Sequence, residues 1–106
     1  VLIIAATLAV NLNSDYADRD LVRPQDYLIA IKGYRLRGEA QRALADAERG
    51  RGQFPAFVVF HKEAALLYLG QGMKHEAAAA FADVLARDPS DTEARRELML
   101  LQTPAP

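Results

Sequence analysis

Residues 68–89 read YLGQGMKHEAAAAFADVLARDP, and their punctuation occurs twice in the chain. Tyr34, Gly38, Ala43 and Pro55 lie 34 residues before Tyr68, Gly72, Ala77 and Pro89. Ala30 and Ala64 keep the same interval, as do Ala45 and Ala79. A fixed period of that length marks a repeat built from one supersecondary unit. The two copies are residues 24–57 and 58–91, and each divides at its glycine into two helical stretches.

Working outward, residues 24–37 read as a helix opened by Pro24, with Tyr27, Leu28, Ile31, Tyr34 and Leu36 at helical spacing and Gly38 as its stop. Its antiparallel partner is alanine-rich, from Glu39 to about Arg49, with Ala40, Ala43, Leu44 and Ala47 on one stripe and Arg42, Asp46 and Glu48 outside it. Gly50 and Gly52 are expected to end that helix in a loop, RGRGQ. Pro55 then opens a longer helix to about Leu69, carrying Phe57, Val58, Phe60, His61, Ala64, Ala65 and Tyr68. Gly70 and Gly72 make the next turn. Residues 74–86 supply the second partner helix, with Ala77, Ala78, Phe81, Val84 and Leu85 buried. Asp88, Pro89 and Ser90 restart the chain into a charged capping helix, 91–101, and residues 102–106 form a tail.

The second unit thus reads His61, Ala64, Ala65, Tyr68, Ala77, Phe81, Pro89, and the first Tyr27, Ala30, Ile31, Tyr34, Ala43, Ala47, Pro55. This resembles the tetratricopeptide repeat (TPR), whose pattern runs aromatic, small pair, tyrosine, alanine, aromatic, proline. The residues that define it here are Tyr34, Gly38, Ala43, Pro55, Tyr68, Gly72, Ala77, Phe81 and Pro89. His61 stands where the family has a large aromatic, and Ala47 replaces a second one. The resemblance implies an all-α fold of antiparallel helix hairpins stacked as a short right-handed superhelix over residues 24–101. It also implies a groove for peptides or partner domains, lined by the first helix of each unit: Gln25, Leu28, Ile29, Lys32, Arg35 and Leu36, then Val59, Lys62, Glu63, Leu66 and Leu69. Some family members clamp a terminal carboxylate with groove lysines and asparagines. Only Lys62 fits that arrangement, so no clamp is expected.

Bulk properties narrow the function. The formal net charge of -1 gives no electrostatic reason to expect a polyanionic partner, so nucleic acid is not expected. Without cysteine there is no disulfide, thiolate metal site or thiol catalysis. His61 and His75 fall on different helices, and no HExxH pattern joins them to a metal; His61 reads as a packing residue in an aromatic slot. The run from Gly70 to Lys74 lacks both the spacing and the Ser or Thr of a phosphate loop. Glu39, Asp46 and Glu48 read as solvated. No catalytic residue, metal ligand or cofactor is therefore expected; a helical enzyme or ligand-binding bundle using His61 and Tyr68 is the alternative from another class.

A repeat hairpin cannot bury its own stripe, and stacks usually need three or more units. Only two are present, which points to a protein partner or to self-association. The apolar segment 1–12, opening VLIIAATLAV from Val1 to Val10, bears on this too. As a helix ten residues span roughly 15 Å, short of the roughly 20 residues a bilayer requires. It reads as the end of a trimmed transmembrane helix, with a signal-peptide core or a buried element as alternatives. The junction 13–23 includes DYADRD, which has no basic excess and favours an extracytoplasmic repeat domain. The expected function is a non-catalytic accessory or assembly subunit of a membrane-associated complex; the alternative is a self-associating scaffold in the cytoplasm.

Overall fold

Arg23 has extended backbone (φ -96°, ψ 151°), and Pro24 follows as the first helical residue, where its missing N–H is no loss. The Asp26 carboxylate accepts from the Arg23 backbone N–H at 3.2 Å and from its guanidinium at 3.0 Å, closing the first turn. From there the chain forms α1 (Pro24–Leu36), α2 (Ala40–Gln53), α3 (Val58–Gly70), α4 (Lys74–Arg87) and α5 (Thr92–Gln102). The computed structural model describes residues 21–104, so expectations placed on residues 1–20 and 105–106 lie outside it. Among the described residues there is no strand. The fold is all-α, and each helix packs chiefly on the helices before and after it in the chain.

The sequence period reappears in the backbone. Helix α3 repeats α1 with both ends displaced by 34 residues, and α4 repeats α2 in the same way. Gly38 and Gly72 both have φ 75°, a conformation that costs residues with a Cβ but not glycine. At the first turn the Glu39 N–H reaches the Tyr34 carbonyl at 2.8 Å and the Gly38 N–H reaches Arg35 at 3.1 Å. One period later Met73 bonds to Tyr68 at 2.9 Å and Gly72 to Leu69 at 3.0 Å. Both turns are therefore Schellman caps, which satisfy the last carbonyls of a helix and turn the chain back.

Two apolar clusters hold the hairpins together, and α3 contributes to both. In the first, Tyr27, Ile31 and Tyr34 of α1 meet Ala43, Leu44 and Ala47 of α2 and Phe60, Ala64 and Leu67 of α3. In the second, Ala65 of α3 meets Ala77, Ala80, Phe81 and Val84 of α4 and Ala94 of α5. Alanines at Ala43, Ala47, Ala77 and Ala80 are fully buried, which lets neighbouring helices approach closely. Tyr68 is half-buried and touches both clusters. Rings gather at the first cluster: Tyr27 meets Phe60 edge-on at 6.1 Å, and Phe54 stacks on Phe60 at 5.9 Å.

Three expectations need correction. Gly50 and Gly52 do not end α2, which continues to Gln53. Gly50 is buried against the Phe60 ring, and that contact carries the helix through a residue that would otherwise stop it. Pro55 does not open α3; it lies in a turn before Phe57, the residue that precedes the helix, and Phe57 is 47% exposed rather than part of the stripe. Asp46 is fully buried rather than solvated, with the Arg49 guanidinium 3.7 Å from its carboxylate.

Candidate functional site

Because α1 and α3 are the same element one period apart, they present corresponding residues to one face. An ion pair joins them there, Arg35 Nη1 to Glu63 Oε2 at 2.7 Å. Beside it lies a cavity of about 510 Å³ lined by Leu28, Ile31, Lys32, Arg35, Leu36 and Glu63. Ile31 is the buried floor, at 1% exposure, while Leu36 stands 79% exposed at the rim. The wall is therefore aliphatic with a cationic edge. Arg35 is neutralised by Glu63, whereas Lys32 is exposed and forms no ion pair among the described residues.

The groove residues predicted from sequence divide into three groups. Leu28, Lys32, Arg35, Leu36 and Glu63 come together in the cavity. Gln25, Ile29 and Val59 are exposed but do not line it; Ile29 is 71% exposed. Leu66 and Leu69 are half-buried and pack against the second core cluster, and Lys62 is occupied elsewhere. Ile31, on the apolar stripe of α1, is both core and cavity floor. Its position three residues after Leu28 and one before Lys32 is the signal that placed it there.

Lys62 Nζ sits 3.0 Å from Asp91 and 3.2 Å from Glu93, tying α3 to the start of α5. Hydrogen bonding to Asp91 holds its ammonium above the ordinary lysine value. Asp91 in turn caps α5, accepting the Ala94 N–H at 3.0 Å, and this bond, followed by that from Lys62, keeps its carboxyl below the ordinary value. Asp91→Ala is expected to cost about 0.5–2 kcal/mol at neutral pH, the usual range for a lost N-cap. A carboxyl whose folded-state value is depressed stabilises the fold fully above its unfolded value and ceases to do so as pH falls through the folded one. The urea midpoints of wild type and Asp91→Ala should therefore converge as pH drops below 3.8; a constant gap through that range would contradict the assignment.

His61 is 3% exposed, and both ring nitrogens are engaged. Arg51 Nε donates to Nδ1 at 3.0 Å, so the proton is on Nε2, which donates to the Pro55 carbonyl at 2.8 Å. Arg51 also reaches Glu48 at 2.7 Å and Asp83 at 2.5 Å, and Arg87 bonds the same Pro55 carbonyl. Burial opposes the Arg51 charge, but Glu48 and Asp83 outweigh it and hold the guanidinium above its ordinary value. The arrangement ties α2, the 54–57 turn, α3 and α4 together. Neither His61 nor Tyr68 lines the cavity.

Among the described residues no group of three or more His, Cys, Asp or Glu side chains is placed to hold a metal ion. No helix among them is long and apolar enough to cross a membrane, and residues 1–12 lie outside them. No protein-family model and no curated protein matches the chain.

Proposed function

We propose that the chain is a non-catalytic protein-interaction module of TPR-like build, which receives a partner protein on the α1–α3 face. The observation that carries this reading is the cavity beside Leu36 and Lys32, an aliphatic recess with a lysine that pairs with no carboxylate among the described residues. Such a surface suits a segment that brings apolar side chains together with an acidic group. The repeated helix bounds and repeated Schellman turns support the TPR-like reading. The saturated hydrogen bonding of His61 favours a scaffold over the helical-enzyme alternative, because its nitrogens serve the fold.

The proposal extends to an accessory role in a membrane-associated complex, with residues 1–12 supplying the attachment and the repeat domain outside the cytoplasm. A photo-crosslinking residue at Leu36, introduced into the full chain in its native membranes, is expected to label one protein partner. Lys32→Glu should reduce that labelling at least tenfold without changing the circular dichroism spectrum. Equal labelling from a crosslinker at Ala82, exposed on α4, would overturn the site assignment. Deleting residues 1–12 should move the chain into the soluble fraction with its helicity unchanged.

A further inference from the structure

The 34-residue period makes α5 the third member of the series begun by α1 and α3. Thr92, Met99, Leu100 and Thr103 hold the places of Val58, Ala65, Leu66 and Leu69, and Arg95 holds that of His61 and Tyr27. On α3 this face is covered by the helix that follows. Ala65 is fully buried in the cluster with Phe81 and Val84, and Val58, Leu66 and Leu69 pack against it. On α1 the matching Tyr27 and Ile31, 2% and 1% exposed, are covered by α2.

On α5 the same face is open. Met99 and Leu100 are each 63% exposed, and with Thr92, Arg95, Arg96 and Thr103 they line a hollow of about 290 Å³. The other side of α5, through Ala94, Leu98 and Leu101, is the one that packs on the second core cluster. Where α1 and α3 bury this face, α5 presents a methionine beside a leucine.

We propose that this face binds an amphipathic helix of a partner protein, antiparallel to α5, with small apolar residues on its inner side and a carboxylate in its last turn. The length and direction follow from α2 and α4, 14 residues each, which cover the equivalent faces of α1 and α3. The small inner residues follow from Ala43, Ala47, Ala77 and Ala80, which those helices bury. The carboxylate follows from charge and register together. Among the described residues two guanidinium groups and no carboxylate line the hollow; there Arg96 has only Glu97 at 3.5 Å, and Arg95 only the Pro89 carbonyl. At the place of Arg95 in the first unit, the Tyr27 hydroxyl donates to Gln53, the last residue of α2, at 2.9 Å. In the second unit Arg87 holds the place of Gln53 and bonds the Pro55 carbonyl rather than His61, so the first unit alone gives the register and the charge of the hollow gives the acceptor. A second copy docked α5 to α5 would set these arginines against one another. The inference goes beyond the α1–α3 site and does not depend on it.

The test uses the full chain and a hydrocarbon-stapled peptide of residues 40–53 carrying Gln53→Glu, followed by fluorescence anisotropy. Saturable binding is expected, weakened at least tenfold by Met99→Glu and by Arg95→Glu and unchanged by Lys32→Glu. A peptide with Gln53→Arg should restore binding to the Arg95→Glu chain. Leu100→Glu replaces Met99→Glu if the latter loses helicity. Absence of saturation, or wild-type affinity retained by the Met99→Glu and Arg95→Glu chains, overturns the proposal. So does a dimer in sedimentation equilibrium that Met99→Glu dissolves, since that would assign the face to a second copy.

Discussion

Replacing Gly50 by alanine is expected to destabilise the domain by about 2 kcal/mol, within the range for overpacking a core. The direction is opposite to that given by helix propensity, by which alanine gains about 0.5–1 kcal/mol over glycine inside a helix. What reverses it is the Phe60 ring. A Cβ on Gly50 would lie 2.3 Å from one ring carbon and 2.6 Å from two others. That ring is fully buried among Tyr27, Phe54 and Phe57 and cannot swing aside. Gly52, two residues on in the same helix, has nothing within 4 Å of its Cβ position, so Gly52→Ala should stabilise by about 0.5–1 kcal/mol. Urea denaturation of the two variants separates close approach from propensity. Combining Gly50→Ala with Phe60→Leu should cost less than the sum of the single changes, because the smaller side chain makes room. A Gly50→Ala protein as stable as wild type would show that the ring moves.

The same glycine shows where the sequence stops being legible. The helix count, the hairpin order and the turns at Gly38 and Gly72 are local matters, set by stripe spacing and by a backbone conformation that favours glycine. Gly50 looks equally local, and a glycine after charged residues reads as a stop. Its neighbour is Phe60, on the next helix, so the information is tertiary. The periodicity held a partial answer: Pro89 stands three residues before α5 as Pro55 stands three before α3, which places both prolines in the preceding turn. Asp46 could also have been placed, since it lies three residues after Ala43 and four before Gly50, on the buried side of α2.

For the candidate site, the apolar and basic character of α1 was legible because exposed residues at helical spacing keep their chemistry whatever they pack against. Lys62 was not. Its partners Asp91 and Glu93 belong to the next unit, and only stacking brings them within 3.2 Å. The open face of α5 was hidden for the same reason. A charged helix reads as a solvated cap until its burial is compared, place by place, with that of α1 and α3.

Phe81→Ala is expected to be the most damaging core substitution in the second half, at about 3–5 kcal/mol. Total stabilities of small domains are about 5–15 kcal/mol, so the loss is a large share of the whole. Phe81 is fully buried among Ala65, Ala77, Ala80, Val84 and Ala94, and among the described residues it is the one aromatic ring in the buried part of that cluster, with Tyr68 packing on its edge. Small neighbours on backbones already in close approach cannot fill the space it leaves, so most of the cavity persists. The first unit has Ala47 at the equivalent position and draws its bulk from Tyr27 and Phe60 instead. Since each helix contacts chiefly its neighbours in the chain, the damage should stay local. Hydrogen exchange of the Phe81→Ala protein should show α4 and α5 losing protection before α1 and α2; equal loss in all five helices would show a single cooperative unit instead. Because α5 rests on α4, the variant should also lose the stapled peptide while crosslinking at Leu36 persists. That combination would place the two proposed surfaces on separately stabilised halves of the same stack.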